Sequence, residues 1–461
     1  MPKLHWPTAQ TPEISPLAAR IVALEGLLGM LVPAATLAAY GNHKPSKKTK
    51  STGGGSANLE CLPCESYKEL VLTWQQAMEW TNGLDYALTV MLASIASTKS
   101  VGDQLWVKVI GPASCGKSTL CEAVSVNKKY VFPKSTIRGF HSGFVLDGSE
   151  KEDHSLIARL YGKTLVTKDG DTLLQSPNLA QILAEARDIY DGTSRTHYRN
   201  AKSKDYEGLR MTWILCGTKS LQKIDESELG ERFLDCVLMH KIDDELEDEV
   251  LWRVANRADR DAVIESEGEA EKQYAPELAK AMQLTGGYVG YLRSNAMDLL
   301  PLVENSDEAK RACTRLGKFI AHMRARPSNR QEGTAEREFA ARLVSQLVRL
   351  AKCLALVLNR ESVDESVMSR VRRVALDTSR GQTLKIVTHL YGRVEGSESR
   401  AISVRVNLST QKVSSLLAFL REIGVVERFK TKKTSRVASG VTRWRLTRRM
   451  RELYKEVSHE D

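Results

Sequence analysis

The stretch from Gly111 to Ser118 has the residue types and the spacing of a loop that binds phosphate groups. It reads GPASCGKS, which satisfies the pattern GxxxxGK[ST] in full. The glycines let backbone N–H groups turn toward a phosphate, the lysine neutralises its charge, and the next hydroxyl ligates Mg²⁺. An apolar run, LWVKVI, precedes the loop and a helical pattern follows it, so the helix dipole adds to phosphate binding. The sequence predicts a site for ATP and Mg²⁺ formed by Gly111, Pro112, Ala113, Ser114, Cys115, Gly116, Lys117, Ser118 and Thr119.

Such a loop needs a partner carboxylate at the end of a buried strand, which holds the metal ion through water. Asp169 follows the run TLVTK and is the predicted metal-holding and catalytic acid, with Ser118 as the second metal ligand. Asp171 is a further catalytic candidate, and either Asp171 or Glu185 could orient water. Many hydrolytic sites carry a glutamate directly after the metal-binding aspartate, and Gly170 stands in that place here. This departure puts fast hydrolysis in question. For Asp169 itself, an ordinary Asp-Gly turn is the alternative to a metal-holding role.

Two other polar residues are placed where they could act on a terminal phosphate. Thr218 ends the apolar run MTWILCG and is predicted to contact the γ-phosphate or its water. Arg232 lies between a helical segment and the run FLDCVLM, so it could reach the nucleotide of a neighbouring subunit, as an arginine finger does. A surface salt bridge is the alternative for Arg232.

Short β-rich runs alternate with helical segments from 105 to 240, which predicts a parallel sheet flanked by helices. Residues 241–378 are almost wholly helix-periodic. The predicted organisation is a helical N-terminal arm (1–40), a flexible linker (41–60), a helical pair (61–104), an α/β nucleotide-binding domain (105–240), a helical lid (241–378) and a basic C-terminal domain (379–461).

The order of these parts resembles the AAA+ ATPases: phosphate loop, acid-bearing strand, polar strand end and the "GERF" arginine. An extra segment at 135–162 and the basic stretch 193–210 resemble the helix-2 insertion and the pre-sensor hairpin of minichromosome-maintenance (MCM) helicases and related phage or plasmid initiators. The helix 342–355 is similar to their lid helix and matches Arg342 to the second sensor arginine; Arg293 ranks below it. The resemblance implies a hexameric ring around DNA, with hairpin contacts from Arg195, Arg199, Lys202 and Lys204. Ordinary solvated side chains are the alternative for these four.

From Arg380 to Asp461 the chain has 18 Lys/Arg against 8 Asp/Glu, which accounts for the whole net charge of +10. This excess favours a polyanion as partner, although a merely solvated basic surface is the alternative. The order of three helices and two strands resembles a winged helix, with Ser409 as N-cap of its recognition helix. A role in protein–protein contact remains the alternative. The predicted DNA-binding residues in this domain are Thr410, Gln411, Lys412, Lys430, Lys432, Lys433 and Arg436.

The chain has the composition of a soluble globular protein, with 42% hydrophobic and 27% charged residues. The apolar stretch 16–41 is interrupted by Arg20, Glu25 and Pro33, which argues against a membrane span. Eight scattered cysteines without a secretion signal favour reduced thiols in the cytoplasm. The pair Cys61 and Cys64 lacks a second pair at zinc spacing, so residues preceding a helix are the better interpretation.

Two functions from different classes follow. The first is an ATP-driven ring that moves on or melts DNA, a helicase of a phage, plasmid or mobile element. The second is a nucleotide-gated DNA-binding scaffold with slow or no hydrolysis, such as a loader or a regulator of transposition or defence. A metabolic P-loop kinase fits poorly, because no substrate-binding lid of that kind precedes the helical region.

Overall fold

The structure is a computed structural model. It describes residues 59–142, 153–197, 203–226, 232–238, 244–258, 274–325, 337–379, 381–430 and 441–458. The predicted arm 1–40 and nearly all of the linker 41–60 lie outside the described residues. Five of the predicted DNA-binding residues do so as well: Arg199, Lys202, Lys432, Lys433 and Arg436.

A five-stranded, wholly parallel sheet forms the centre of the described chain. Its strands are β1 (Trp106–Ile110), β2 (Val131–Pro133), β3 (Thr164–Thr167), β6 (Thr212–Gly217) and β7 (Phe233–Val237), in the order β2-β3-β6-β1-β7. Two antiparallel hairpins lie outside it: β4 (Thr193–His197) with β5 (Ser203–Glu207), and β8 (Val426–Lys430) with β9 (Thr442–Leu446).

The predicted parallel sheet is confirmed, and the sequence missed only its edge strand β2. That strand is three residues long and ends in Pro133, which lacks an N–H and is tolerated at a sheet edge. A five-stranded parallel sheet flanked by helices is compatible with the core of a P-loop protein.

Helices surround the sheet and form the region that follows it. Those before β7 are α1 (Tyr67–Ala77), α2 (Asn82–Ala96), α3 (Lys117–Val124), α4 (Leu156–Leu160), α5 (Gly170–Leu174) and α6 (Leu179–Asp191). Those after it are α7 (Asp244–Ala258), α8 (Pro276–Leu299), α9 (Asp307–Arg324), α10 (Ala341–Val357), α11 (Glu365–Thr378), α12 (Gly381–Tyr391), α13 (Ser399–Val406), α14 (Thr410–Glu422) and α15 (Arg448–Val457). The described residues of the predicted helical pair and of the region 241–378 are largely helical. The described residues of 274–378, which contain helices α8 to α11, are named the lid below after the prediction.

The start of the first helical pair explains the two cysteines at 61 and 64. Ser66 is the N-cap of α1, and its side chain accepts a hydrogen bond from the Glu69 N–H. Cys61 is exposed, whereas Cys64 is buried. Within the described ranges, no three His, Cys, Asp or Glu side chains converge as a metal site would require. The segment leads into a helix, as the sequence indicates.

Aromatic side chains fill one face of the sheet beneath α6. Trp106 of β1 packs edge-on against Trp213 of β6 with ring centroids 5.5 Å apart, and against Tyr190 of α6 at 5.1 Å. Phe233 of β7 joins them, 5.4 Å from Trp106. Large buried aromatic rings contribute much of the apolar area that stabilises a core. This cluster packs the neighbouring strands β6, β1 and β7 against α6.

The chain after 380 forms a C-terminal module of α12, α13, α14, the β8–β9 hairpin and α15. Ser409 is the N-cap of α14, as predicted, and accepts a hydrogen bond from the Lys412 N–H. Helix α15 lies beyond the predicted helices and strands. It packs on α9 and α11 of the lid, where Glu456 pairs with Arg315 at 2.6 Å and Tyr454 contacts Phe319.

None of the helices in the described ranges has the length and apolar character needed to cross a membrane. The apolar stretch 16–41 is outside those ranges.

Candidate functional site

The loop between β1 and α3 has the backbone conformation that its glycines allow. Gly116 and Ser114 adopt left-handed conformations, with φ of 88° and 61°. A Cβ on Gly116 would lie 2.8 Å from a methyl carbon of Leu84, and one on Gly111 would lie 2.7 Å from the Cys115 sulfur. Both positions are therefore restricted to glycine. Gly116 is the N-cap of α3 and has no side chain to cap it, so the first N–H groups of the helix can bind an anion.

Lys117 begins α3, and its ammonium group lies over the loop. The Lys117 Nζ donates to the Gly111 carbonyl at 2.9 Å and to the Pro112 carbonyl, and lies 3.6 Å from the Cys115 sulfur. The Ser118 side chain is exposed on the first turn of α3, and Thr119 is half-buried beside it. The curled loop, the lysine and the exposed hydroxyl fit a Mg²⁺-bound triphosphate.

Asp169, the predicted metal-holding residue, also has a structural role at the start of α5. Its carboxylate caps α5, accepting from the Thr172 N–H at 3.3 Å and from the Thr172 hydroxyl at 2.5 Å. The residue is exposed. These bonds fix the start of α5, and Asp169 retains free lone pairs for a water-mediated contact to a metal ion.

Asp171 is the carboxylate that the fold turns toward the end of β6. It accepts from the Thr218 N–H at 2.9 Å, from the Thr218 hydroxyl at 3.0 Å and from the Ser220 hydroxyl. Partial burial raises the pKa of Asp171, but the bonds from Ser220 and Thr218 and the charge of Lys117 together hold this pKa below its ordinary value. Asp171 is therefore a charged acceptor within electrostatic range of the loop lysine.

The glycine at position 170, where many hydrolytic sites have a glutamate, has a steric reason in this fold. A Cβ on Gly170 would lie 2.7 Å from a Leu215 methyl carbon and 2.8 Å from one of Leu221. Leu215 and Leu221 belong to the buried core. A side chain at 170 would meet that core, which explains why glycine stands in this place.

Arg232 and Arg342 are brought together around one tyrosine ring. Their guanidinium carbons lie 5.4 and 6.0 Å from the ring centre of Tyr190. Arg232 is buried and pairs with Asp191 at 3.0 Å. The salt bridge named as the alternative for Arg232 is therefore present, with the arginine side of the pair buried. Arg342 is half-buried at the start of α10.

Both arginines lie at the opposite end of the sheet from the phosphate loop. Arg232 directly precedes β7, whose first residue pairs with Trp106 at the start of β1, whereas the loop follows the end of β1. Five residues of strand separate these levels by about 16 Å. Neither arginine is placed to contact a nucleotide on its own loop. Arg293 is also buried at that end, donating to the Gly162 carbonyl at 2.8 Å.

The hairpin β4–β5 confirms the predicted hairpin-like stretch before β6, but its lysine is not free. Lys204 pairs with Asp153 at 2.5 Å and donates to the Ser142 carbonyl at 2.9 Å. Arg195 is exposed and pairs with Glu207 across the hairpin at 3.2 Å. Of the two, only Arg195 is displayed to solvent in a way that suits a phosphate contact.

The C-terminal module displays its predicted residues. Thr410, Gln411 and Lys412 are exposed on the first turn of α14, and Lys430 is exposed at the end of β8. Val413, Leu417 and Leu420 of the same helix are buried. The polar face of α14 is thus a solvent-facing surface held by an apolar one.

The sequence matches no model of a known protein family, and no curated protein matches it. The assignment of function therefore depends on the chain's own residues. Two contacts at the site were not anticipated from the sequence. Ser220 completes the bonding of Asp171, and Glu122 of α3 pairs with Lys168 at 3.0 Å. Ser220 could have been suspected because it lies two residues beyond Thr218.

Proposed function

We propose that this protein is an ATP-binding ATPase of the AAA+ type that acts on DNA, as the helicase or remodelling motor of a phage, plasmid or mobile element. The observation that carries the proposal is the position of β6 between β1 and β3. It puts Thr218 and Asp171, which are hydrogen-bonded to each other, beside the strand that ends in the phosphate loop. Triphosphate hydrolysis needs a phosphate-binding loop, a lysine, a charged acid and a polar residue at the end of a strand. All four lie at the same end of this sheet.

Each residue at this edge has a role that its contacts support. The loop N–H groups and Lys117 would bind the phosphates, and Ser118 would ligate Mg²⁺. Mg²⁺, when bound, neutralises charge on the phosphate oxygens. Asp171 and Thr218 would hold the attacking water, because Asp171 is ionised and Thr218 has a hydroxyl that can both donate and accept.

DNA is the proposed polyanion for the C-terminal module. Its three helices and hairpin have the order of a winged helix, and the first turn of α14 displays Thr410, Gln411 and Lys412. A capped helix with exposed polar residues at its N-terminal end suits insertion into a major groove. Lys430 is exposed at the end of β8.

The alternative function is a nucleotide-gated DNA-binding scaffold with little hydrolysis. The observation that favours it is the burial of Arg232 against Asp191 and Tyr190. An arginine engaged within its own chain does not reach a neighbour's nucleotide unless this pair opens. In that case a ring could assemble on ATP without a trigger for turnover.

Steady-state ATP hydrolysis by the purified chain, with and without single-stranded and duplex DNA, tests the proposal. Turnover that DNA stimulates and that Lys117→Ala abolishes would support a motor. ATP bound by the wild type but not by Lys117→Ala, without turnover, would support the scaffold. Nucleotide binding that survives Lys117→Ala would remove the phosphate-loop assignment.

A further inference from the structure

A buried carboxylate on the phosphate-loop helix connects two segments that flank the nucleotide site. Glu122 lies on α3, five residues beyond Lys117, and its side chain is only 10% exposed. One of its oxygens, Oε1, pairs with the Lys168 ammonium at 3.0 Å. The other, Oε2, accepts from the Tyr274 hydroxyl at 3.0 Å. A single side chain thus bonds to both the β3 side of the core and the lid.

The Lys168 contact acts on the acid-bearing segment. Lys168 directly precedes Asp169, the cap of α5, and Asp171 lies in the first turn of that helix. Because Asp171 is bonded to Thr218, its position depends on where α5 starts. The Glu122–Lys168 pair therefore fixes the distance between the phosphate-loop helix and the carboxylate proposed to hold water.

The Tyr274 contact acts on the lid. Tyr274 lies two residues before α8, the long first helix of the lid. Further along, Asn127 donates to the Gly286 carbonyl of α8 at 2.8 Å, and Tyr130 contacts Ser294. The pairs 122–274, 127–286 and 130–294 show that α8 runs beside α3 and the loop after it, away from the phosphate loop. Tyr274 is therefore the contact in this series that lies nearest the nucleotide.

The hydrogen bond from Tyr274 persists at neutral pH. Burial, followed by the bond to Glu122, raises the pKa of Tyr274 to about 12, so its hydroxyl stays protonated and donates. A buried carboxylate bonded to both an ammonium and a hydroxyl is costly to separate from either partner. A shift of α3 on phosphate binding would therefore act on both segments.

We propose that Glu122 is a positioning residue that couples occupancy of the phosphate loop by a nucleoside triphosphate to the lid through Tyr274 and to the acid-bearing segment through Lys168. The coupling rests on the proposed nucleotide binding. The coupling predicts that the contact to Tyr274 and the contact to Lys168 can be removed separately, because each uses a different oxygen of Glu122.

Hydrogen–deuterium exchange of the full chain, with and without Mg²⁺ and a slowly hydrolysed ATP analogue, tests the coupling. In the wild type the analogue should slow exchange in 111–124, 164–174 and 274–290. Tyr274→Phe should keep the slowing in 111–124. In 274–290 the slowing by the analogue should be at least about fivefold smaller than in the wild type, a factor at the lower end of measured couplings between sites. Lys168→Met should keep the lid effect and lose that in 164–174. Tyr161→Phe, at an exposed tyrosine, is the matched control and should behave as the wild type.

The outcomes separate this inference from the proposed function. Lid slowing in Tyr274→Phe equal to that in the wild type would overturn the coupling and leave nucleotide binding intact. No slowing of 111–124 in the wild type would overturn the nucleotide site and the coupling with it. Each variant is compared with and without the analogue well below its own melting temperature, so that lost coupling is not lost folding. Glu122→Ala should remove both contacts. Adding Tyr274→Phe to Glu122→Ala should cause no further change in the exchange of 274–290.

Discussion

The carboxylate of Asp171 accepts hydrogen bonds from both the N–H and the hydroxyl of Thr218, at 2.9 and 3.0 Å. This relationship joins the segment after β3 to the end of β6 at the edge of the sheet that carries the phosphate loop. It supports Asp171, which the sequence already offered as able to orient water, as the candidate for the water-holding acid. Several consequences can be measured.

Asp171→Asn should reduce ATP hydrolysis by about 100-fold while leaving nucleotide binding unchanged, because the amide is uncharged and cannot accept three donors. Asp169→Asn is the matched control. Asparagine caps helices as well as aspartate does, so α5 should stay in place and the loss should be small. The measurement is steady-state turnover beside nucleotide affinity. The opposite ranking of the two variants would return the principal role to Asp169.

Arg342→Ala and Arg232→Ala should separate activity from stability. Arg232 is buried against Asp191 and Tyr190, so its removal should lower the free energy of unfolding by about 2 kcal/mol. Arg342 is half-buried, and Arg342→Ala should melt like the wild type. If Arg342 acts on a neighbour's nucleotide, Arg342→Ala should lower hydrolysis about tenfold or more.

Mixing subunits tests whether that action crosses between chains. Lys117→Ala subunits cannot bind ATP but retain Arg342, so adding them to Arg342→Ala subunits should restore part of the hydrolysis. No restoration at any mixing ratio would place Arg342 outside the reaction of its neighbour.

Lys412→Ala combined with Lys430→Ala should weaken binding to duplex DNA and reduce the slope of log affinity against log salt by about 2, one for each lost phosphate contact. Arg421→Ala is the control, because Arg421 is exposed near the other end of α14. Fluorescence anisotropy over a salt series measures both quantities. Equal effects of the pair and of the control would indicate a diffuse basic surface, and no effect of either would favour protein binding by this module.

These point substitutions are preferable to deleting the module. Removing α12 to α15 would uncover the lid surface on which Tyr454 and Glu456 pack. A loss of DNA binding in such a truncation could then follow from a damaged lid.

The lid should become less stable in mild acid because of His322. Burial, together with nearby Arg337 and Arg449, lowers the pKa of His322 to about 4, although the Lys318 carbonyl opposes this. The folded state keeps the imidazole neutral while the unfolded state takes a proton near pH 6.5, so stability is present above pH 6.5 and is lost as the pH falls toward about 4. The loss is about 3 kcal/mol over that interval. Denaturant melts at pH 7 and pH 5 should converge for His322→Gln, and an unchanged pH dependence would contradict this origin.

Local patterns in the sequence predicted those parts of the fold that depend on neighbouring residues. The phosphate loop, the strands β1, β3, β6 and β7, the paired helices and the Ser409 cap follow from apolar periodicity and from residue types at fixed spacing. The charged residues inside the sheet did not disturb these predictions. Lys108 of β1 and Asp235 of β7 are fully buried and pair at 3.0 Å. Each charge alone argues against a buried strand, and only strand order shows that they meet.

The site was harder to predict because its orientations depend on distant contacts. Asp169 and Asp171 are two residues apart, and nothing local says that α5 starts between them and turns the second toward Thr218. The burial of Arg232 depends on Tyr190 and Asp191, some forty residues earlier in the chain. Glu122 reads as an ordinary helix surface residue until β3 and Tyr274 are placed beside it.

Helix α15 attaches the C-terminal module to the lid. Its residue Tyr454 packs against Phe319 of the lid and against Tyr391 of α12, and Glu456 pairs with Arg315 and approaches Arg372. The module is therefore clamped to the lid at both ends of its chain, by the short link from α11 into α12 and by α15. A displacement of the module relative to the lid would have to strain these side-chain contacts with α9 and α11. We therefore expect the module to move together with the lid and not as an independently tethered domain.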